Sequence, residues 1–301
     1  MKTTVRCCAL VWVWFGLGST AWAQEPPPVA AGLSAPKAAT TGSTEVATSN
    51  FEAVKKADAA ANDTTEAKVS AGAIFTTGNS RSMASTGAGT FRLRRGKNQV
   101  SLAAAVNYAR ARPVDSDRMQ TTVENYQGKS RYDRFVSEHV AFFGALSLRK
   151  DKFQGLDLRL NFDPGIAYYF IDRKPVQLWS ELGYDYQYDI RTLDAVREAN
   201  ETIEVRADRL GRKQERHSGR LFVGFNTAFN DKVALTSGLE YLQALAETEN
   251  YRIVADAGIN ASLAGKLSLA TTFTLRYDHN PLPGIEKVDT MEAVSLVYTL
   301  L

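Results

Sequence analysis

The sequence predicts an all-β protein, a transmembrane antiparallel up-and-down β-barrel of about 12 strands preceded by a disordered N-terminal segment. In Val176–Arg191 every second residue except Ser180 is apolar or aromatic, and Leu158–Phe170 repeats this pattern. Alternation with period two is typical of a strand that has one apolar and one polar face. Strands of soluble proteins are usually about five or six residues long, so these longer segments suit a wall between lipid and water.

Residues 1–23 have the three parts of a secretory signal peptide. Lys2 and Arg6 supply positive charge, Ala9–Gly18 is an apolar core, and Ala21–Ala23 fits an A-x-A cleavage site. Both cysteines of the chain lie in this segment. We therefore expect the exported chain to lack disulfides and thiolate metal sites, and no other motif predicts a cofactor.

Residues 24–65 are rich in Pro, Ala, Thr, Ser and Gly and contain few large apolar residues. Such a segment cannot bury enough surface to offset the entropy of ordering, which predicts a disordered periplasmic linker. Loss of Lys2 and Arg6 with the signal peptide takes the formal charge from +3 to +1. A nearly neutral chain gives no reason to expect nucleic acid as a partner.

Residues 66–301 form the predicted barrel domain. The predicted connections alternate between short polar turns, such as Asn230–Asp231, and longer loops, such as Thr192–Glu215, which we expect to be mobile. Outer-membrane barrels place short turns on the periplasmic side, and an even strand number returns both chain ends to that side. The predicted strands are 67–77, 80–95, 98–111, 120–135, 139–150, 157–170, 176–191, 216–229, 232–246, 250–262, 266–278 and 289–301.

Aromatic residues gather near the predicted strand ends, as in the interfacial girdles of membrane barrels. Outer-membrane lipid and lipopolysaccharide are therefore the expected partners. The loop-side girdle comprises Phe75, Tyr108, Tyr126, Tyr186, Tyr188, Tyr241, Tyr251 and Tyr277, and the turn-side girdle comprises Phe91, Tyr132, Phe142, Tyr168, Phe170, Phe229 and Tyr298. The last strand resembles the C-terminal signal that the barrel assembly machinery recognises, through Val294, Leu296, Tyr298 and Leu300.

Four segments carry a resemblance to a known family. They are GAIFTTGNSRS (72–82), ENYQGKSRYDRF (124–135), DKFQGLDLRLNFDPGIAYYFID (151–172) and LWSELGYDYQYDIR (178–191). The chain is similar in these motifs to the DUF481 family, whose members are often labelled YdiY-like or salt-induced outer-membrane proteins. The resemblance implies a Gram-negative outer-membrane β-barrel and no established activity, so it implies no catalytic residues.

Charged residues at predicted inward positions are the candidates for any function. Two interpretations stay open for them: a narrow pore whose charges select small polar solutes, or a charge network that fills the lumen. The function predicted from both is a non-enzymatic envelope protein, with either a structural or envelope-stress role or a narrow passive channel. The candidate lumen residues are Lys129, Arg131, Asp133, Arg149, Arg159, Asp163, Glu181, Asp185, Asp189, Arg220, Glu240, Asp256, Arg276 and Asp278.

The predicted turn before Val176 sets a register for the two central strands. It places Arg159 roughly opposite Gln187 and diagonal to Asp185 and Asp189. The segment Asp163–Gly165 predicts a local kink or bulge, because it places proline and glycine within an alternating strand.

An outer-membrane lipid-modifying hydrolase is the alternative function. His217 and His279 lie near the predicted loop-side rim, where a histidine base and a serine could act on lipid. Ser218 follows His217 directly, but adjacent strand residues point to opposite faces, which argues against that pair. The sequence therefore predicts no enzyme.

Overall fold

The computed structural model describes residues 63–76, 82–111, 118–152, 155–173, 175–201, 210–280 and 287–300. In this part of the chain, neighbouring strands pair in sequence order and β12 pairs with β1, which closes an antiparallel barrel. The predicted fold class and strand number are confirmed. The strands are β1 (Asp63–Thr76), β2 (Ser82–Arg95), β3 (Asn98–Ala111), β4 (Gln120–Phe135), β5 (Val140–Asp151), β6 (Leu156–Arg173), β7 (Val176–Arg191), β8 (Lys213–Ala228), β9 (Val233–Ala244), β10 (Tyr251–Ala264), β11 (Leu267–Asp278) and β12 (Val288–Thr299).

The predicted signal peptide and most of the predicted linker lie outside the described residues. Strand β1 begins at Asp63, inside the range assigned to the linker. Strands β3, β4 and β7 have the predicted bounds, and the others differ by a few residues at their ends. The alternation in the sequence therefore locates the strands well.

Alternation along each strand separates an apolar outer surface from a polar interior. On β6 and β7, Leu182 is 69% exposed and Phe170 is 56% exposed, whereas Glu181 and Asp185 are 0% exposed. Successive residues of a strand point to opposite faces, so the charged set faces inward and the large apolar set faces outward. This arrangement is the reverse of a soluble protein, whose apolar residues collect inside.

The register between β6 and β7 differs from the prediction in two places. Strand β6 continues to Arg173, which pairs with Val176, and a bulge between Tyr169 and Ile171 shifts the ladder. Arg159 consequently lies opposite Asp189, so its predicted position opposite Gln187 was wrong.

No bulge occurs at the second place, within Asp163–Gly165. The pairs Phe162–Tyr186 and Gly165–Gly183 on either side of Pro164 keep the same register. Proline has no N–H to donate, so one hydrogen bond of the ladder is missing there. The register on both sides of it is the same. Of the predicted kink or bulge, the bulge was therefore wrong, and a kink stays a prediction.

The long connection Thr192–Glu215 contains a helix, α1 (Leu193–Glu201), that the sequence analysis missed. The hydroxyl of Thr192 accepts a hydrogen bond from the Ala195 amide at 3.3 Å and caps the helix N-terminus. The Asn200 side chain both donates to the Leu210 carbonyl at 3.0 Å and accepts from the Leu210 amide at 2.7 Å. These contacts order the described part of a connection predicted to be mobile. Across the described residues, no helix has the length and apolar character needed to span a bilayer.

The closing seam between β1 and β12 is the shortest ladder of the barrel. Its paired residues extend only from Lys68–Thr299 to Ala71–Leu296 in the described strands. By contrast, β1 pairs with β2 along its whole length, from Asp63–Arg95 to Thr76–Ser82. The loop-side half of the seam is therefore not bridged by ladder pairs, although both strands are held on their other sides.

Candidate functional site in the barrel lumen

The structure places all the predicted lumen residues on inward-facing strand positions. Asp256 and Arg276 are partly buried, and the others are buried. Whether they select solutes stays a prediction. The set comprises Lys129, Arg131, Asp133, Arg149, Arg159, Asp163, Glu181, Asp185, Asp189, Arg220, Glu240, Asp256, Arg276 and Asp278.

An ionic network crosses the interior from β4 to β9. Arg131 Nη2 lies 2.8 Å from Asp133 Oδ1 and 2.8 Å from Glu181 Oε1. Glu181 Oε2 in turn lies 2.8 Å from Arg220 Nη1, and Arg220 Nε lies 2.5 Å from Glu240 Oε1. Because β4 and β7 are not adjacent, the contact between Arg131 and Glu181 bridges the lumen and does not run along its wall.

A second ionic cluster lies closer to the loop side. Arg159 binds Asp189 through two nitrogens, Nε at 2.7 Å and Nη2 at 2.6 Å. Arg191 Nη2 also approaches Asp189, at 3.2 Å. Bidentate arginine–carboxylate pairs fix both side chains, so this cluster is rigid.

Arg252 links β10 to the same region. Its Nη1 donates to Gln187 Oε1 at 3.0 Å, and its Nη2 lies 3.7 Å from Asp185 Oδ2. Arg191 and Arg252 are absent from the predicted set, although their strand positions have the same inward parity as its members.

Aromatic residues close the turn-side end of the same half of the lumen. The Tyr169 and Trp179 ring centroids are 6.4 Å apart, and those of Trp179 and Phe222 are 6.0 Å apart. Phe135 and Phe143 complete this buried set, which we call the aromatic cluster. This cluster was not predicted from the sequence, because aromatic residues were expected in the outer girdles, although Trp179 has the same inward parity as Glu181.

Glycines on neighbouring strands make room for these rings. Gly224 lies opposite Trp179 in the ladder, and a Cβ at Gly224 would come within 2.2 Å of the indole. Gly165 is opposite Phe143 in the same way, and a Cβ there would come within 2.5 Å of the ring. Arg131 lies over the Phe143 ring, 4.1 Å from its centroid, so the aromatic cluster and the ionic network are in contact.

Part of the opposite wall of the lumen carries small side chains. Inward positions of β2, β3 and β11 carry Ala88, Ala103, Ala105, Thr272 and Thr274. Longer side chains also face inward on this wall: Arg94 of β2 lies 4.3 Å from the centroid of the Phe135 ring, and Gln99 of β3 is buried. Several inward positions on β10 and β11, including Asp256 and Thr274, are only partly buried, whereas Arg252 and Asp278 are buried.

The histidines do not assemble a catalytic site with the candidate serine. His217 Nδ1 hydrogen-bonds the Tyr184 hydroxyl, and its ring packs 5.3 Å from that of Tyr186 on the outer surface. Ser218 is 1% exposed and faces inward, as its parity predicts. His279 stacks on Tyr251 with ring centroids 4.7 Å apart. Among the described residues, no group of three or more His, Cys, Asp or Glu side chains could hold a metal ion.

Comparisons with known proteins identify a family and show distant structural likenesses. The family described as "Protein of unknown function, DUF481" matches residues 69–300. No curated protein matches the chain.

Three solved structures illustrate the structural likeness. The translocator domain of the autotransporter NalP from Neisseria meningitidis is 12% identical, with a TM-score of 0.41, over 78% of this chain and 86% of its own. The NanC porin is 7% identical, with a TM-score of 0.46, over 78% of this chain and 100% of its own. The β domain of the Bordetella autotransporter BrkA is 10% identical, with a TM-score of 0.38, over 79% of this chain and 98% of its own. Likenesses at such identities transfer no function to this chain.

Proposed function

This chain belongs to DUF481, a family of proteins of unknown function, and from that premise we propose that it is a non-enzymatic outer-membrane barrel that acts as a narrow passive channel for small polar solutes. The observation that carries the proposal is the uneven filling of the lumen. Charged and aromatic side chains fill the side of β4–β9, whereas some inward residues of β10 and β11, namely Asp256, Thr272, Thr274 and Arg276, are only partly buried. In the proposed channel, a water-filled path follows these partly buried positions of β10 and β11.

The outer surface supports a membrane location. Large apolar residues there are exposed by roughly half of their surface, far more than a soluble protein tolerates in one contiguous band. Closure of the barrel pairs the backbone N–H and C=O groups of the first and last strands, which hydrocarbon could not hydrogen-bond. Members of this band are Phe142, Leu146, Phe162, Ile166, Leu182, Leu221, Leu239, Ile259, Phe273 and Val294.

The path would be too narrow for large solutes. Eight strands leave an interior that side chains fill, and about sixteen leave an open channel, so twelve strands with one filled side leave a narrow passage. Polar and charged groups of both signs border it, including Asp256, Thr274 and Arg276. Small hydrated solutes fit such a lining, and strongly apolar ones do not.

Conductance in planar lipid bilayers tests the proposal. Wild-type protein should give small, uniform steps, and Thr274→Trp should reduce them because it adds a large ring to an inward position of β11. Leu275→Trp is the matched control, because the next residue of the strand points to the lipid face. If the wild type gave no conductance steps at any salt concentration, the proposed channel function would be wrong.

A structural role without transport is the second candidate, and the contact of Arg131 with Glu181 favours it, since side chains that bridge a lumen brace the barrel. Deletion should then leave solute uptake intact and make the envelope fragile. The hydrolase alternative would instead require a change in extracted lipids that His217→Ala or His279→Ala abolishes.

A further inference from the structure

Two buried aspartates face each other on the inner surface of adjacent strands. The pairs Phe162–Tyr186 and Gly165–Gly183 fix the register, which sets Asp163 of β6 opposite Asp185 of β7. Asp163 is 1% exposed and Asp185 is 0% exposed. Like charges placed directly opposite each other in a ladder are destabilising, and water does not reach this pair to screen them.

The two carboxyl groups are unequally supported. Asp185 Oδ1 accepts a hydrogen bond from Asn161 Nδ2 at 2.7 Å, and its Oδ2 lies 3.7 Å from Arg252 Nη2. Asp163 has no comparable support, because neither of its oxygens has a hydrogen-bond partner among the described residues. Ser218, opposite Asp185 on β8, is 1% exposed, and its Oγ also lacks a partner in this part of the chain.

Two cations, Lys129 and Arg220, lie near enough to Asp163 to attract it. Arg220 acts electrostatically on Asp163, but its side chain binds Glu181 at 2.8 Å and Glu240 at 2.5 Å. On β5, the residue opposite Asp163 is Ala145, which carries no charge. The polar and charged groups that face the pair are Lys129 from β4, Asn161 from β6, Glu181 and Gln187 from β7, Ser218 and Arg220 from β8, Glu240 from β9 and Arg252 from β10.

A buried carboxylate without a partner is too costly to persist, because desolvation disfavours the charged form. A proton removes this cost, and two facing carboxyl groups can share it, since one then donates an O–H to the other. We infer that Asp163 and Asp185 form a proton-binding pair in the lumen. The Asp163 carboxyl stays protonated, and its O–H donates a hydrogen bond to Asp185 Oδ2. The proton comes from water, and no other bond changes.

This site adds to the proposed channel and does not depend on it. When the proton leaves at high pH, two facing negative charges remain between β6 and β7 and push these strands apart. The barrel is therefore more stable while the pair holds its proton, and it loses this contribution to its stability when the pH rises far enough to remove the proton.

Asparagine substitution separates the proton-binding pair from an ordinary ion pair. Asp163→Asn supplies a permanent donor of nearly the same shape, so its midpoint of urea unfolding in detergent should equal or exceed that of the wild type. Asp189→Asn is the matched control: this residue is equally buried, but it binds Arg159 at 2.6 Å, so its midpoint should fall. An equal fall in both variants would show that Asp163 is ionised, and the inference would be wrong.

Infrared spectroscopy observes the proton directly. The wild type at neutral pH should show the C=O stretch of a protonated carboxyl, and both Asp163→Asn and Asp185→Asn should lose it, while Asp151→Asn retains it. A band that survives in both pair variants, or no band in the wild type, would overturn the inference.

Unfolding measured over a pH series supplies a further readout. The wild-type midpoint should fall at high pH, and the Asp163→Asn midpoint should change less over the same range. A shared metal ion would instead make the wild-type midpoint rise with added sodium or calcium ions, with no rise in Asp163→Asn. That outcome would replace the proton by a cation and would also overturn the inference.

Discussion

Arg131 on β4 reaches across the barrel to Glu181 on β7, with 2.8 Å between Arg131 Nη2 and Glu181 Oε1. Two intervening strands separate their backbones along the wall. Glu181 also binds Arg220 of the neighbouring strand β8, so a single carboxylate joins two cations from β4 and β8. Loss of this carboxylate would leave two arginine side chains short of a partner.

Glu181→Gln should therefore destabilise the barrel strongly. Removing one partner of a buried ion pair typically costs about 3 to 5 kcal/mol, because the remaining charge stays desolvated. Urea unfolding in detergent micelles measures this loss. The control is Asp194→Asn, since Asp194 binds Arg197 at 3.2 Å on the exposed surface of α1 and should contribute at most about 1 kcal/mol. Similar effects from both substitutions would show that the lumen is fully hydrated.

Gly224→Ala should destabilise the barrel because the added methyl group overlaps the Trp179 indole at 2.2 Å. Overpacking of this kind costs about 1 to 3 kcal/mol. Gly144→Ala is the control, since nothing lies within 4 Å of the added atom. A smaller ring in Trp179→Phe should reduce the cost of Gly224→Ala, and the four unfolding midpoints of the double-mutant cycle measure this coupling. Additive effects would contradict the observed contact.

Asp256→Asn should make the proposed channel more permeable to anions. The residue faces the partly open side of the lumen, so removing its negative charge raises the local potential along the path. The reversal potential under a salt gradient measures the change. Asp231→Asn, in the exposed turn before β9, should leave the reversal potential unchanged. An unchanged reversal potential for Asp256→Asn would place the conducting path elsewhere.

Backbone amides in the loop-side half of the β1–β12 seam should exchange with deuterium faster than those in its turn-side half. Ladder pairs hold Lys68–Ala71 but do not extend to Gly72–Thr76. Hydrogen-exchange mass spectrometry in lipid nanodiscs resolves the two halves through overlapping peptides. Strand β11 is the internal reference, because β10 and β12 pair with it along nearly its full length. Equal protection of both halves would show that the seam closes fully in a membrane.

The positions of the strands and the residues that face inward could be predicted from the sequence. Alternation alone places Glu181, Asp185 and Asp189 on one face, because side chains of a strand repeat with period two. Contacts between strands depend on register, and one bulge is enough to change it. The residue directly opposite Arg159 was misplaced because β6 continues to Arg173 and bulges after Tyr169, although Asp189, which Arg159 binds, was predicted to lie within its reach.

Contacts across the lumen could not be predicted from alternation. Their geometry depends on barrel diameter and on which strands face each other, as for Arg131 and Glu181. The packing of Trp179 on Gly224 likewise needs the register between β7 and β8. The helix α1 had a local signal, since Thr192 is a favourable N-cap before Leu193–Glu201, but the mixed charges of that segment also fit a mobile loop.

The short ladder between β1 and β12 determines how the molecule should respond to mechanical load. If the two ends of the described chain were pulled apart in a force microscope, the join between the first and last strands would yield at the lowest tension. The remaining hairpins, whose strands are paired over most of their length, would then be pulled out of the membrane one by one. The order of rupture would start at the place where the chain closes on itself.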